Sequence, residues 1–317
     1  ESNRTRKDFI ADRVLNMARA YIRGIEECGM AVSIKHFPGD GADERDQHLH
    51  PSVNDLSVEE WDESYGKIYK TLIDEGAQTV MIGHILQPAY QRALNPDLRD
   101  EDMAPASLSP ELLQGLLRKK LGFNGVIVSD STRMTGFLMS MPREKAVPYC
   151  IAAGCDMFLF DLGIEQDFAY MMQGIEDGVL TRERVDEAVT RILALKASLG
   201  LHKKQKDHTL VPGPEALSVL GCQEHRDWAA QCANEAITLV KDKAPDVLPL
   251  TVEKYPRIQL HVLGEHAKSG NHAGGLLLAG RFKARLEQEG FQVTLFDAKQ
   301  MSQHIFEPND VTIGDTD

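Results

Sequence analysis

Between residues 31 and 161 the chain is punctuated by four short apolar runs with no polar/apolar alternation: Ala31-Val32-Ser33-Ile34, Thr79-Val80-Met81-Ile82, Val126-Ile127-Val128 and Met157-Phe158-Leu159-Phe160. A strand with one wet face alternates, whereas a strand covered on both faces does not. Segments of helical character lie between the runs. Before the first, Phe9, Ile10, Val14, Leu15, Ala18, Ile22 and Ile25 recur at helical spacing and Gly29 marks a stop. Ser57-Val58-Glu59-Glu60 reads as a capping box opening a helix that ends near Gly76. Ser109-Pro110 opens another, with Leu112, Leu113, Leu116 and Leu117, closing near Gly122. Helices are also predicted over 144–153, 166–177 and 181–199. Buried strands alternating with helices predict a parallel α/β architecture.

Polar residues sit where each run ends: Lys35-His36, His84, Asp130 and Asp161. In a barrel of alternating strands and helices, the carboxyl ends of the strands hold the active site. Four such ends together point to chemistry more strongly than any one of them. A charged hinge over 202–208 then leads to a second α/β region. There a helix from Trp228 is expected to run into a strand at 237–241, followed by a strand at 258–262, a helix at 275–288 and a strand at 293–296.

Composition narrows the function classes. With 35 Lys+Arg against 48 Asp+Glu the formal charge is −13, which disfavours polyphosphate or anionic-membrane partners. No stretch approaches 18 uncharged apolar residues, so no transmembrane helix is expected. The cysteines (Cys28, Cys150, Cys155, Cys222, Cys232) are odd in number and form no CxxC pair. That argues against a disulfide framework or a four-cysteine zinc site and for a reducing, cytoplasmic setting. The histidines lack ligand spacing, so no metal or organic cofactor is expected.

Three stretches carry a resemblance: Lys35-His36-Phe37-Pro38-Gly39; the Asp46-Gln47-His48 loop, with His48 thirteen positions after Lys35; and Ser109-Pro-Glu-Leu-Leu-Gln-Gly-Leu-Leu-Arg118-Lys-Lys-Leu-Gly-Phe-Asn-Gly-Val-Ile-Val-Ser-Asp130. Together they resemble glycoside hydrolase family 3, most closely its β-N-acetylglucosaminidase branch. The resemblance implies a retaining, exo-acting enzyme that releases terminal β-linked N-acetylglucosamine. Such an enzyme needs a carboxylate to attack the anomeric carbon and a second group to protonate the leaving oxygen and then activate water. The resemblance assigns the first role to Asp130 and the second to His48, oriented by Asp46. A histidine titrates near neutrality, and a carboxylate on one ring nitrogen fixes its tautomer and raises its basicity. His50 is left out of the pair. Lys35 and His36 are implied as ligands of the terminal sugar's hydroxyls, with His84 and Arg6 as further substrate-binding candidates.

The sequence also departs from the family pattern. Asp40 stands where the usual histidine follows Lys-His-Phe-Pro-Gly, Gly41-Ala42 stands in place of Gly-Asp, and Ser131-Thr132-Arg133-Met134 keeps little but the Met. A full (β/α)8 TIM-type barrel runs to about 250 residues, yet only four strands precede the charged hinge. The resemblance therefore implies an N-terminally incomplete barrel. Residues 1–203 would be its C-terminal portion and 204–317 the start of a second α/β sandwich domain. Expected partners are a small carbohydrate substrate and the missing segments of the same polypeptide, with no nucleic acid and no membrane. Three other readings stay open. A β-glucosidase or β-xylosidase of the same family is disfavoured by the Asp-x-His loop. A β-N-acetylglucosaminide phosphorylase is favoured by an acid/base that repels phosphate less than a carboxylate would. An inactive carbohydrate-binding homologue is disfavoured by retention of all three catalytic positions.

Overall fold

The computed structural model describes residues 11–241, 247–261 and 274–295. The chain divides into two compact units, Glu1–Ala216 and Leu217–Asp317. In the first, the strands are β1 (Ser33–Phe37), β2 (Ser52–Val53), β3 (Thr79–Ile82), β4 (Ile85–Leu86), β5 (Val126–Ser131) and β6 (Met157–Leu159). The apolar runs become one parallel sheet in the order β1-β3-β5-β6, and β2 and β4 form a small parallel ladder beside it. Neighbouring strands joined by helical crossovers make consecutive parallel pairings, as expected for βαβ units. Phe37 pairs with Ile82, Ile82 with Ser129, and Ser131 with Leu159, so the carboxyl ends of the four strands line up along one edge.

Local signals in the sequence account for the crossovers. The Ser57 hydroxyl accepts from the Glu60 backbone N–H while the Glu60 carboxylate accepts from Ser57 N–H, closing the capping box ahead of the helical stretch Val58–Asp74. Ser109 Oγ accepts from Leu112 N–H, and the helical segment Glu111–Lys120 buries Leu112, Leu113, Leu116 and Leu117 completely. Each such leucine contributes about 2 kcal/mol of transfer free energy. Phe37, at the end of β1, packs edge-on against Trp61 and Tyr69. This anchors the strand tip before the chain turns at Pro38.

At the amino edge of the sheet lies a buried ion cluster. Asp156, fully buried just before β6, accepts from Arg118 at 2.7 Å, from Arg184 at 2.6 Å and from the Ile127 backbone N–H at 2.9 Å, with Arg191 at 3.5 Å. Burial pushes the Arg118 guanidinium down to about 10 against the pull of Asp156.

The predicted helices appear as Ala11–Glu26, Arg143–Ala153, Ile164–Glu176 and Arg182–Ser198. Two expectations change. The charged hinge is helical over Leu201–Lys206: Gly200, at φ +66°, ends the preceding helix, and its carbonyl then accepts from Lys203 and Lys204. The strand expected at 237–241 is absent; Ile237 and Val240 are 82% and 91% exposed. An apolar run becomes a strand only where a neighbour supplies its ladder, and none does so here among the described residues.

In the second unit, β7 (Arg257–Leu260) and β8 (Gln292–Leu295) pair in parallel across the helix Gly274–Gln288. Val262 and Phe296, predicted to extend these strands, lie outside the described residues. No helix among the described residues is long and apolar enough to cross a membrane.

Candidate active site

The site gathers at the carboxyl edge of the sheet. Asp130 is the penultimate residue of β5, and its Oδ2 lies 3.4 Å from His36 Nε2 on β1. Its other oxygen accepts from Ser131 N–H at 2.7 Å. Lys35 and His36 line a cavity of about 630 Å³ together with Asp40, Tyr65 and Tyr69. The turn below them is clamped through its carbonyls. Trp61 Nε1 donates to Pro38, Asn54 Nδ2 to Gly39 and Tyr65 Oη to Asp40. Gly39, at φ +135°, lies so close to the Tyr65 ring that a Cβ would collide with it. Burial lowers the His36 pKa below its ordinary value against the opposing pull of Asp130, so the imidazole facing Asp130 is neutral near pH 7.

The second group sits on the loop after β1. His48 Nδ1 lies 2.7 Å from Asp46 Oδ1, and His48 N–H donates to the same oxygen at 3.0 Å. These contacts hold the Asp46 carboxyl below its usual range, the backbone N–H being the largest cause. With the carboxylate on Nδ1, that nitrogen carries the proton and Nε2 is left for a proton-transfer partner. His48 and Asp46 side chains are 68% and 59% exposed. The loop is tied to the segment that follows Asp130: Gly136 N–H donates to the Gln47 carbonyl and Thr135 N–H to that of His48, both at 3.3 Å.

His84 follows β3 at the same edge but is fully buried. Its Nε2 lies 2.9 Å from the Ser131 carbonyl and its Nδ1 2.8 Å from Ser107 Oγ. A carbonyl only accepts, so Nε2 carries the proton and Nδ1 accepts from the hydroxyl. Burial lowers its pKa and keeps the ring neutral. Both ring nitrogens are therefore engaged within the protein, and His84 holds the peptide after Asp130. Arg6 lies outside the described residues.

The structure brings two further residues to the site. Asp40, in the sequence a departure from the family pattern, has its Oδ2 3.9 Å from His36 Nδ1 and accepts from Gln47 Nε2 at 3.2 Å. Gln47 itself lies between the members of the Asp46–His48 pair, and that position was the available signal. Among the described residues, no group of three or more His, Cys, Asp or Glu side chains could hold a metal ion.

A strand-end carboxylate, with histidines above one edge of a parallel sheet, defines an α/β enzyme whose chemistry is grafted onto strand ends. Known proteins give that class a family. Residues 1–195 match the Glycosyl hydrolase family 3 N terminal domain, and the chain belongs to that family of enzymes acting on glycosidic bonds. It is 51% identical over 290 residues to a beta-N-acetylglucosaminidase/beta-glucosidase of Cellulomonas fimi, covering 90% of this chain and 50% of that protein. The solved structure of beta-glucoside phosphorylase BglX bound to 2FGlc superposes with a TM-score of 0.82 at 45% identity, over 91% of this chain and 51% of that one. A family 3 beta-N-acetylglucosaminidase from Paenibacillus sp. str. FPU-7 shares the fold at a TM-score of 0.67 and 24% identity, over 93% of this chain and 54% of that one. The chain thus spans about half the length of these relatives.

Proposed function

We propose that the intact protein transfers a terminal β-linked sugar, N-acetylglucosamine first and glucose second, by a retaining two-step mechanism. Asp130 attacks the anomeric carbon while the leaving oxygen takes a proton from His48 Nε2. The glycosyl-enzyme ester is then cleaved by an acceptor that gives its proton back to the same nitrogen. Asp46 stabilises the imidazolium form that precedes the first step and follows the second. Lys35 and His36, at the wall of the cavity, bind the sugar's hydroxyls. The observation that carries the reading is the 2.7 Å Asp46–His48 contact on a loop hydrogen-bonded to the segment after Asp130. On this reading the four-stranded sheet is part of an eight-stranded barrel, completed by other segments of the same polypeptide.

The acceptor has two candidates. Water is the first. Phosphate is favoured by one feature of the site, an acid/base that is neutral in its basic form and so does not repel an incoming anion; the likeness to a beta-glucoside phosphorylase points the same way. The test is a panel of aryl β-N-acetylglucosaminide, β-glucoside and β-xyloside, assayed with and without phosphate. Free sugar as the main product in phosphate supports hydrolysis, and sugar 1-phosphate supports phosphorolysis. A 2-fluoro aryl glycoside should label the peptide containing Asp130; labelling elsewhere sinks the assignment.

A further inference from the structure

The Asp46–His48 loop is exposed except at one residue. Gln47 is 4% exposed between two neighbours that face solvent. Both polar atoms of its side-chain amide are engaged. Oε1 accepts from His84 N–H at 2.9 Å and Nε2 donates to Asp40 Oδ2 at 3.2 Å. Its carbonyl accepts from Gly136 N–H. Three pieces of chain therefore meet on one residue: the turn after β1, the end of β3 and the segment after Asp130. The approach is close enough to require glycine. A Cβ on Gly136 would stand 2.8 Å from His84 Cβ and 3.2 Å from the Gln47 carbonyl oxygen, and one on Gly83 would stand 3.1 Å from Gln47 Oε1. His84 in turn holds the Ser131 carbonyl, next to Asp130.

We propose that Gln47 is a positioning residue for the acid/base, a buried amide latch that ties the loop bearing His48 to the strand ends around Asp130. The inference rests on the assignment of His48 as acid/base. Asp46 orients the ring within the loop, and Gln47 sets where the loop stands. Without the latch, the dyad survives as a local contact but loses its distance to the leaving oxygen. Misplacement of this kind is costly to a step that depends on proton delivery and nearly silent for one that does not.

The experiment uses the intact enzyme and kcat/KM, which reports the first glycosyl transfer, for a phenyl glycoside and its 2,4-dinitrophenyl counterpart. The phenyl substrate needs an acid and the dinitrophenyl one does not. Gln47→Met, similar in length and without polar atoms, is expected to lose about tenfold or more on the phenyl substrate and less than about threefold on the other. Gln47→Glu keeps the acceptor for His84 N–H but sets a second carboxyl oxygen against Asp40 where the amide donated, so it should show the same split. His48→Ala, measured in parallel, should show the same split more strongly, about a hundredfold or more. Equal losses on both substrates, or no loss in either Gln47 variant, overturn the latch. A split for His48→Ala with none for the Gln47 variants overturns the latch alone. No split for His48→Ala overturns the acid/base assignment beneath it. Should Gln47→Met fail to fold, Gln47→Glu decides by the same criterion.

Discussion

Two carboxylates stand at opposite edges of the same sheet and live in opposite conditions. Asp156, at the amino edge, is out of water and answered by three arginines and a backbone N–H. Asp130, at the carboxyl edge, faces one neutral histidine at 3.4 Å and the N–H of its own neighbour. A charge whose field is already cancelled by fixed partners has little left to offer a substrate, but removing it leaves those partners buried and uncompensated. A charge left incompletely paired at a strand end can still be spent on an incoming electrophile. On the proposed mechanism the amino edge serves stability and the carboxyl edge chemistry. The histidines repeat the lesson at shorter range. His84 has both nitrogens occupied within the protein, whereas His48 has one nitrogen held by Asp46 and the other left open.

The contrast is most directly broken by exchanging each carboxylate for its amide in the intact protein. Asp130→Asn should lower turnover of an aryl β-glycoside by at least about a thousandfold while the melting temperature stays close to that of the wild type. Activity within tenfold of wild type would remove Asp130 from the mechanism. Asp156→Asn should do the reverse. Breaking a buried ion cluster by removing one partner costs about 3–5 kcal/mol, read as a lower denaturant midpoint, while the surviving folded fraction keeps its KM. A variant as stable as wild type would show that the arginines are satisfied without it.

The smallest expected effect sharpens the histidine comparison. Burial holds the folded-state pKa of His84 below its ordinary value of 6.5. Below about pH 6.5 the unfolded chain takes up a proton that the folded protein does not. This group's contribution to stability is therefore intact above that pH and declines as the pH falls. His36, lowered for the same reason, acts in the same direction. Thermal melts between about pH 8 and pH 5 should show a falling midpoint, with a shallower slope in His84→Gln. An unchanged slope would mean that His84 takes up its proton in place.

Much of this was legible in the chain because it depends on near neighbours. The apolar runs become neighbouring strands of one parallel sheet, although burial along Thr79–Ile82 alternates and Met157 stays exposed, so the expected cover on both faces is incomplete among the described residues. The capping box at Ser57 forms because its partners are three residues apart. Asp46 and His48 meet because only Gln47 separates them. The failure at 237–241 has a physical cause. The run at 237–241 has strand composition, but a strand is half of a pair, and composition does not say whether the other half is there.

Sequence by itself thus determined the alternation of strand and helix, the placing of polar groups at strand ends, and the Asp46–His48 contact. Tertiary structure alone decided that His36 would face Asp130 across 94 positions of chain. It also decided that His84 would turn both nitrogens inward and that Gln47 would be the buried member of an exposed loop. Those outcomes follow from which strands lie side by side and in what register. Register is set by the sum of many packing contacts, which no short stretch of sequence contains.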